Sequence, residues 1–186
     1  QEVLPENIDI FIEKYIQKDY VVEKIFLVKA DVCTKNSCFQ LFGVNEIVVK
    51  GIQSKVVHLE VFVNGNHLEK FCGDGMIIST PVGSTAYNFS SGGSIIYPSL
   101  KTLQLTPLSP ISSRAYRSLP NSAVIPGDIE ITIKPEYRYE NSILIIVDGM
   151  EYRYDNITEV NFTIPEKTIA KLNFDRNMYW NNLKSK

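Results

Sequence analysis

Ile8, Phe11, Ile12, Tyr15 and Ile16 recur at steps of three and four residues, which places them on one side of a helix. Pro5 and Glu6 just upstream suit a first helical turn, where a missing N–H costs nothing and a negative charge meets the positive end of the dipole. The spacing predicts an N-terminal helix with one apolar stripe facing a core. After Asp19-Tyr20 the period changes to two, or to short β-branched runs, at Val21 to Val28, Phe39 to Phe42, Ile47 to Val49, Val56 to Phe62 and Ile77 to Ile78. Asn64-Gly65 between two such runs predicts a hairpin across 56–72, because a type I′ turn needs positive φ at both central residues. A second strand series follows at Ile129 to Ile133, Ser142 to Val147, Glu151 to Tyr154, Thr158 to Ile164 and Ile169 to Phe174, with Asp148-Gly149 as another hairpin turn. A last helical turn or two is expected between Asp175 and Leu183. About ten short strands against one or two helices, with no βαβ alternation, predict a mainly β fold, a sandwich or rolled sheet.

Composition narrows the partners. The chain has 186 residues, 44% of them hydrophobic, and 19 Lys+Arg against 21 Asp+Glu give a formal charge of −2. That is an ordinary globular balance, and no net positive field draws the chain to nucleic acid or an anionic membrane. No apolar run approaches the roughly 20 residues that cross a bilayer, and Gln1-Glu2-Val3 shows no signal-peptide pattern. Three cysteines, Cys33, Cys38 and Cys72, are too few and too odd for a secreted disulfide scaffold. They read as free thiols in a reducing cytoplasm. No zinc site is expected either, since His58 and His67 do not fall at a paired-ligand spacing and read as core or surface residues.

Between the two strand series lies a block of different character, Gly73-Asp74-Gly75, a short apolar run, then Ser79-Thr80-Pro81-Val82-Gly83-Ser84-Thr85-Ala86-Tyr87-Asn88-Phe89-Ser90-Ser91-Gly92-Gly93. A flexible linker would lack the interleaved Ala86, Tyr87, Phe89, Ile95, Ile96 and Tyr97, so part of the block should pack, as a site on a loop and a short helix. Glycines let a ligand approach the backbone, and free amides and hydroxyls at a helix start suit phosphate or ribose oxygens. Asp74 could accept from both hydroxyls of a ribose. Turn and cap chemistry explains the same residues equally well on spacing alone. A Walker loop, a G-x-G-x-x-G fingerprint and a G-x-S-x-G elbow are all absent from the sequence.

The run GDGMIISTPVGSTAYNFSSGG resembles the signature of the NAD kinase family, whose members carry GDG, then STP-x-G-[ST]-T-A-Y, then S-x-G-G. Asn45-Glu46, Leu105-Thr106-Pro107, Arg114-Ala115-Tyr116-Arg117 and Asp148-Gly149 extend the resemblance over residues 45–149. It implies phosphorylation of the 2′-hydroxyl of the adenosine ribose of NAD, giving NADP, with ATP or polyphosphate as donor and Mg²⁺ or another divalent ion as cofactor. It also implies that residues 1–186 are the β-rich, NAD-binding C-terminal domain of a two-domain kinase fold, assembled as a homodimer or homotetramer and cytoplasmic.

Carried over by position, Asn45 and Glu46 contact the adenine and ribose end of NAD. Asp74 engages a ribose or the nicotinamide end, while Thr85, Ala86 and Tyr87 line the adenine pocket and Ser90 bonds nearby. Ser109 and Ile111 supply pocket wall, and Asp148 is an acid near the nicotinamide end. No catalytic residue is expected in this chain, because the family's N-terminal GGDG does not occur in it. By itself the chain is expected not to catalyse. The alternatives are a catalytically inactive NAD-binding or oligomerisation module and the C-terminal half of a related lipid or sphingoid kinase.

Overall fold

The computed structural model describes residues 5–114, 116–136 and 141–174. The helical turn expected within 175–183 lies outside them. The chain divides into two compact units, one of residues 26–168 and a smaller one drawn from both ends of the chain.

In the larger unit, strands pair antiparallel throughout. The first sheet runs in the order β3 (Cys38–Gly43), β2 (Val28–Thr34), β13 (Ile157–Thr163), β10 (Ile131–Pro135), β5 (Val57–Val63), β6 (Asn66–Gly73). The second runs β12 (Met150–Tyr152), β11 (Ile143–Val147), β4 (Glu46–Gly51), β7 (Gly75–Ser79), β8 (Thr102–Leu108), β9 (Ala123–Pro126). Period-two alternation turns Val28, Ala30, Val32, Leu59, Val61, Ile131, Ile133, Val160 and Phe162 inward from the first sheet. Ile47, Val49, Met76, Ile78, Leu103, Leu105, Ile143 and Ile145 meet them from the second, so the sandwich core is the seam between two inner faces. The second sheet is buried on its other side as well, through Val48, Ile77 and Leu108. This is why β7 reads as an unbroken apolar run instead of alternating.

Both predicted hairpin turns form, with φ of 51° and 74° at Asn64 and Gly65 and of 46° and 88° at Asp148 and Gly149. The run expected from Val21 to Val28 ends at Phe26, and its last residue opens the next strand, β2, most of which lies outside the expected strands. β1 (Val21–Phe26) pairs with β14 (Thr168–Asn173) in a two-stranded ribbon, and β2 begins after Leu27 in the six-stranded sheet. No Gly or Pro marks that break, so the pattern cannot show it. β8 and β9 escaped the pattern because Pro107 interrupts one and the other is only four residues long. Pro107 is tolerated because pairing with β9 ends at Leu105, leaving β8 flanked only by β7 at that level.

Two expectations are corrected. The N-terminal helix exists, α1 (Ile8–Ile16), but none of its residues is buried, and Ile8, Ile12, Tyr15 and Ile16 are exposed. Among the described residues of this unit the nine-residue helix meets only a two-stranded ribbon, too little apolar surface to cover the stripe. What it does make are ring contacts, Phe11 edge-on to Phe174 at 5.2 Å and Tyr15 stacked on Tyr20 at 5.8 Å. The second correction concerns Cys33 and Cys38. They are not free thiols but a disulfide, since the β2–β3 register sets them directly opposite with Cα atoms 4.1 Å apart. Cys72 is free and buried.

No helix among the described residues is long and apolar enough to span a membrane.

Candidate functional site

Strand β4 starts, and strands β7 and β11 end, at one edge of the second sheet, where Glu46 faces Ser79 and Ile47 faces Val147. Three connections meet there: the turn Val44–Glu46, the segment after Ser79, and the Asp148-Gly149 hairpin. The carboxylate of Asp148 accepts from the backbone N–H of Val44 at 2.7 Å, of Asn45 at 2.8 Å and of Glu46 at 3.1 Å. The N–H of Asp148 donates to the Glu46 carbonyl in return, at 3.1 Å. Asp148 was expected as an acid near a ligand. Its oxygens are already engaged in fixing Asn45 and Glu46, which makes it a positioning group for that pair, and any ligand contact comes on top of this work.

Thr80 ties the second connection to the first. Its hydroxyl donates to the Val44 carbonyl at 2.7 Å and accepts from the Gly83 N–H at 3.1 Å, while its own N–H donates to the Asn45 carbonyl at 2.9 Å. Gly83 lies so close beneath Asn45 that a Cβ there would overlap the Asn45 carbonyl. The chain then forms a single 3₁₀ turn, Gly83–Thr85, and the short helix α2 (Tyr87–Ser90). This is the predicted loop and helix, although no side chain caps its start and four residues are too few for a helix-dipole site.

What holds α2 on the sheet is a buried amide and hydroxyl network that the sequence reading missed. Asn88 Nδ2 donates to Gln104 Oε1 at 3.2 Å, Thr106 Oγ1 donates to Asn88 Oδ1 at 2.6 Å, and Gln104 exchanges bonds with the Ser94 backbone at 2.7 and 2.9 Å. Ser84 Oγ closes the loop, donating to the Pro81 carbonyl at 2.6 Å and accepting from the Ile96 N–H at 2.9 Å. A signal was present. Thr102, Gln104 and Thr106 alternate with Leu103 and Leu105, so three polar side chains share one face of the strand. Asn88→Ala would take one donor from Gln104 Oε1, which keeps the Ser94 N–H, and leave the buried Thr106 hydroxyl with only a long bond of 3.4 Å to Gln104. The expected cost is about 1–3 kcal/mol, read as a lower urea midpoint at unchanged slope.

The network leaves Thr85 and Ala86 half-buried and Tyr87 and Ser90 exposed on the segment that follows Gly83. Glu46 is the carboxylate of the site most cut off from water. It is 7% exposed, and its Oε2 is buried without a hydrogen-bond partner. Burial first, and the negative charge of Asp148 second, push its pKa up to about 7. An unpaired buried carboxyl oxygen lacks the hydrogen-bond partner that a ligand hydroxyl could supply.

Asp74, Ser109 and Ile111 are not part of this cluster. They lie at the opposite end of β7, where Gly75 pairs with Leu108, and the Asp74 N–H donates to the Leu108 carbonyl at 3.0 Å. Six residues of extended chain between Asp74 and Thr80 correspond to roughly 20 Å. The structure thus brings seven of the ten expected residues to one end of the sheet and three to the other: Asn45, Glu46, Asp148, Thr85, Ala86, Tyr87 and Ser90 against Asp74, Ser109 and Ile111. Among the described residues no three His, Cys, Asp or Glu side chains converge as a metal cage.

The molecule is thus an antiparallel β-sandwich domain with a polar loop cluster at one end of its second sheet, where Glu46 keeps a buried oxygen without a partner and Gly83 lies under the Asn45 backbone. Residues 44–164 match the ATP-NAD kinase C-terminal domain. The NAD kinase of Finegoldia magna is 45% identical over 190 residues, covering all of this chain and 70% of the relative. That of Lactobacillus johnsonii is 36% identical over 142 residues, 76% of this chain and 52% of the relative. The chain belongs to the NAD kinase family and carries its C-terminal domain. It spans 70% of the first of these relatives and about half of the second.

The same fold occurs in the crystal structure of yeast NADH kinase complexed with NADH, with a TM-score of 0.86 at 21% identity over 96% of this chain and 52% of that one. It also occurs in the NAD kinase of Archaeoglobus fulgidus in complex with ATP, with a TM-score of 0.76 at 23% identity over 97% of this chain and 66% of that one.

Proposed function

We propose that this chain acts as one NAD-binding domain that orients the adenosine ribose of NAD for 2′-phosphorylation by ATP or polyphosphate, as part of a cytoplasmic NAD kinase. The observation that carries this reading is the buried, unpartnered Glu46 Oε2 next to Asn45, whose backbone the Thr80–Gly83 turn holds, a polar acceptor for hydroxyl donors. Phosphoryl transfer rests on positioning and charge neutralisation. This domain supplies the positioning of the acceptor, and no GGDG stands in its sequence, so it does not catalyse alone. The described residues offer no ligand cage for the divalent ion that the family resemblance implies.

The split between the two ends of β7 supports a homodimer or homotetramer in which Asp74, Ser109 and Ile111 of one copy complete the Asn45, Glu46 and Tyr87 cluster of another. Tyr87, Phe89, Ile95, Tyr97 and Leu100, all exposed on one segment around that cluster, supply apolar surface for such a contact.

Calorimetric titration of the chain with NAD, NADP and ATP, with its mass in solution, tests the reading. NAD or NADP is expected to bind an oligomer and ATP is not. A folded oligomer that binds none of them refutes it. Tyr87→Ala and Asp74→Ala are each expected to weaken NAD binding by about 1–3 kcal/mol. If the site is shared between copies of a dimer, mixing and re-equilibrating the two variants restores full affinity at about a quarter of the sites, because half the dimers are mixed and each carries one intact site. No restoration on mixing would place all ten residues in a single-chain site.

A further inference from the structure

The segment after β8 leaves the sheet at Ser109, whose φ is 47°, and folds back on itself through a bridge between Ser112 and Arg117. It carries Ile111 on its outward side, 45% exposed. Its inward side is fastened to the Cys72-Gly73-Asp74 turn. The Ile111 N–H donates to the Cys72 carbonyl at 2.7 Å. Ser118 Oγ accepts from the Cys72 N–H at 3.1 Å and donates to the Ile111 carbonyl at 3.2 Å, so one buried hydroxyl bridges the turn and the arm. A Cβ at Gly73 would stand 2.7 Å from the Leu108 carbonyl oxygen and 2.8 Å from that of Ser109, and glycine there lets the two backbones close up.

The far end of the arm is held by Glu69. This residue lies on the edge strand β6 opposite Val61, which is wholly buried in the core, so its carboxylate points to the inner side of the sandwich. It is 5% exposed, its Oε2 accepts from the Leu119 N–H at 2.6 Å, and its Oε1 is buried with no partner. Burial raises the pKa of this carboxyl, while the Leu119 N–H bond and the charge of His67 lower it. An inward acid on an edge strand can serve merely to discourage edge pairing. Against that reading, the carboxylate is spent on one backbone donor, and that donor belongs to the residue next to Ser118.

We infer that Glu69 and Ser118 are positioning residues that clamp the 109–119 arm to the Asp74 turn, so that Asp74 and Ile111 are presented to NAD as one rigid unit. The inference rests on the NAD reading above for its ligand, and on the hydrogen bonds alone for its geometry.

Glu69→Ala, Glu69→Gln and Ser118→Ala, made in this chain, test it by backbone amide hydrogen exchange together with NAD titration. In Glu69→Ala and Ser118→Ala the amides of Ile111 and Asp74 are expected to exchange about tenfold or more faster, with those of β10 and β13 unchanged and NAD binding about tenfold weaker. Glu69→Gln keeps an oxygen for the Leu119 N–H and is expected to restore most of both. Ile111 and Asp74 amides as protected as in the parent chain would overturn the inference, and so would equal acceleration in every strand, which is a general loss of stability. Loosened amides with NAD affinity intact would overturn it too. If the parent chain binds no NAD while the exchange pattern holds, the NAD reading fails and the clamp stands. Ser118→Ala decides the matter should Glu69→Ala not fold.

Discussion

Gly83→Ala is expected to be the most damaging single-methyl change in the site, lowering stability by about 2–4 kcal/mol and weakening NAD binding at least tenfold. The added Cβ would stand 2.6 Å from the Asn45 Cα and closer still to its carbonyl. Backbone cannot rotate out of the way as a side chain can. The Thr80–Thr85 segment must therefore lift off, breaking the Thr80 bonds to Val44 and Asn45 that hold the ligand-facing pair in place. Urea unfolding gives the stability, and calorimetry the affinity. Gly65→Ala is the control, because its Cβ would meet nothing within 4 Å and the only penalty is a φ of 74° in a hairpin turn, about 1 kcal/mol. An unchanged midpoint for Gly83→Ala would mean that the Asn45 turn and the Gly83 turn move apart freely, and the account of the site given by these bonds would fail.

The second large effect is a pH dependence set by Glu46. Its folded pKa of about 7 lies above the ordinary carboxyl value of 4.5, so the folded protein binds this proton more tightly than the unfolded chain does. Stability from this group is then fully present below pH 4.5 and falls as pH rises towards 7, after which it stays level. The total loss is on the order of 3 kcal/mol. Glu69, also raised by burial, has the same sign, so the comparison that isolates Glu46 is the parent chain against Glu46→Gln. The variant is expected to lose the Glu46 share of the slope and to be the more stable of the two at pH 8. Parallel stability curves for the two proteins across pH 4 to 8 would show that Glu46 is ionised in the fold at no cost. NAD should also stabilise the parent chain more at pH 8 than its own affinity at pH 6 predicts, because ligand hydroxyls then satisfy an ionised oxygen.

Much of the architecture is readable from one-dimensional pattern because β-strands report burial locally. Leu59 and Val61, or Ile131 and Ile133, announce an inner face by alternation alone, and Asn64-Gly65 and Asp148-Gly149 announce their turns by the φ they require. Where the local signal and the tertiary environment part company, the pattern fails. The apolar stripe of α1 has correct helical spacing, yet nothing in the sequence says how much surface stands opposite it. Cys33 and Cys38 look like two unrelated thiols until the register of β2 against β3 sets them face to face. Pro107 hides a strand that survives only because its neighbour is short.

For the site, the sequence by itself determined the family and the candidate residues, since the GDG, STP-x-GSTAY and S-x-G-G run is a continuous stretch whose residue types and order are visible without a fold. The tertiary structure alone decided their division. β7 separates Asp74 from Thr80 by its own length, and strand pairing across the sheet, not proximity in sequence, joins Asn45 and Glu46 to Asp148 from a hundred residues away. It also decided which polar residues hold and which are offered. Asp148 is occupied by three backbone donors while Glu46 keeps a buried oxygen free. That difference comes from burial and hydrogen-bond supply, quantities that exist only once chain segments distant in sequence have packed together.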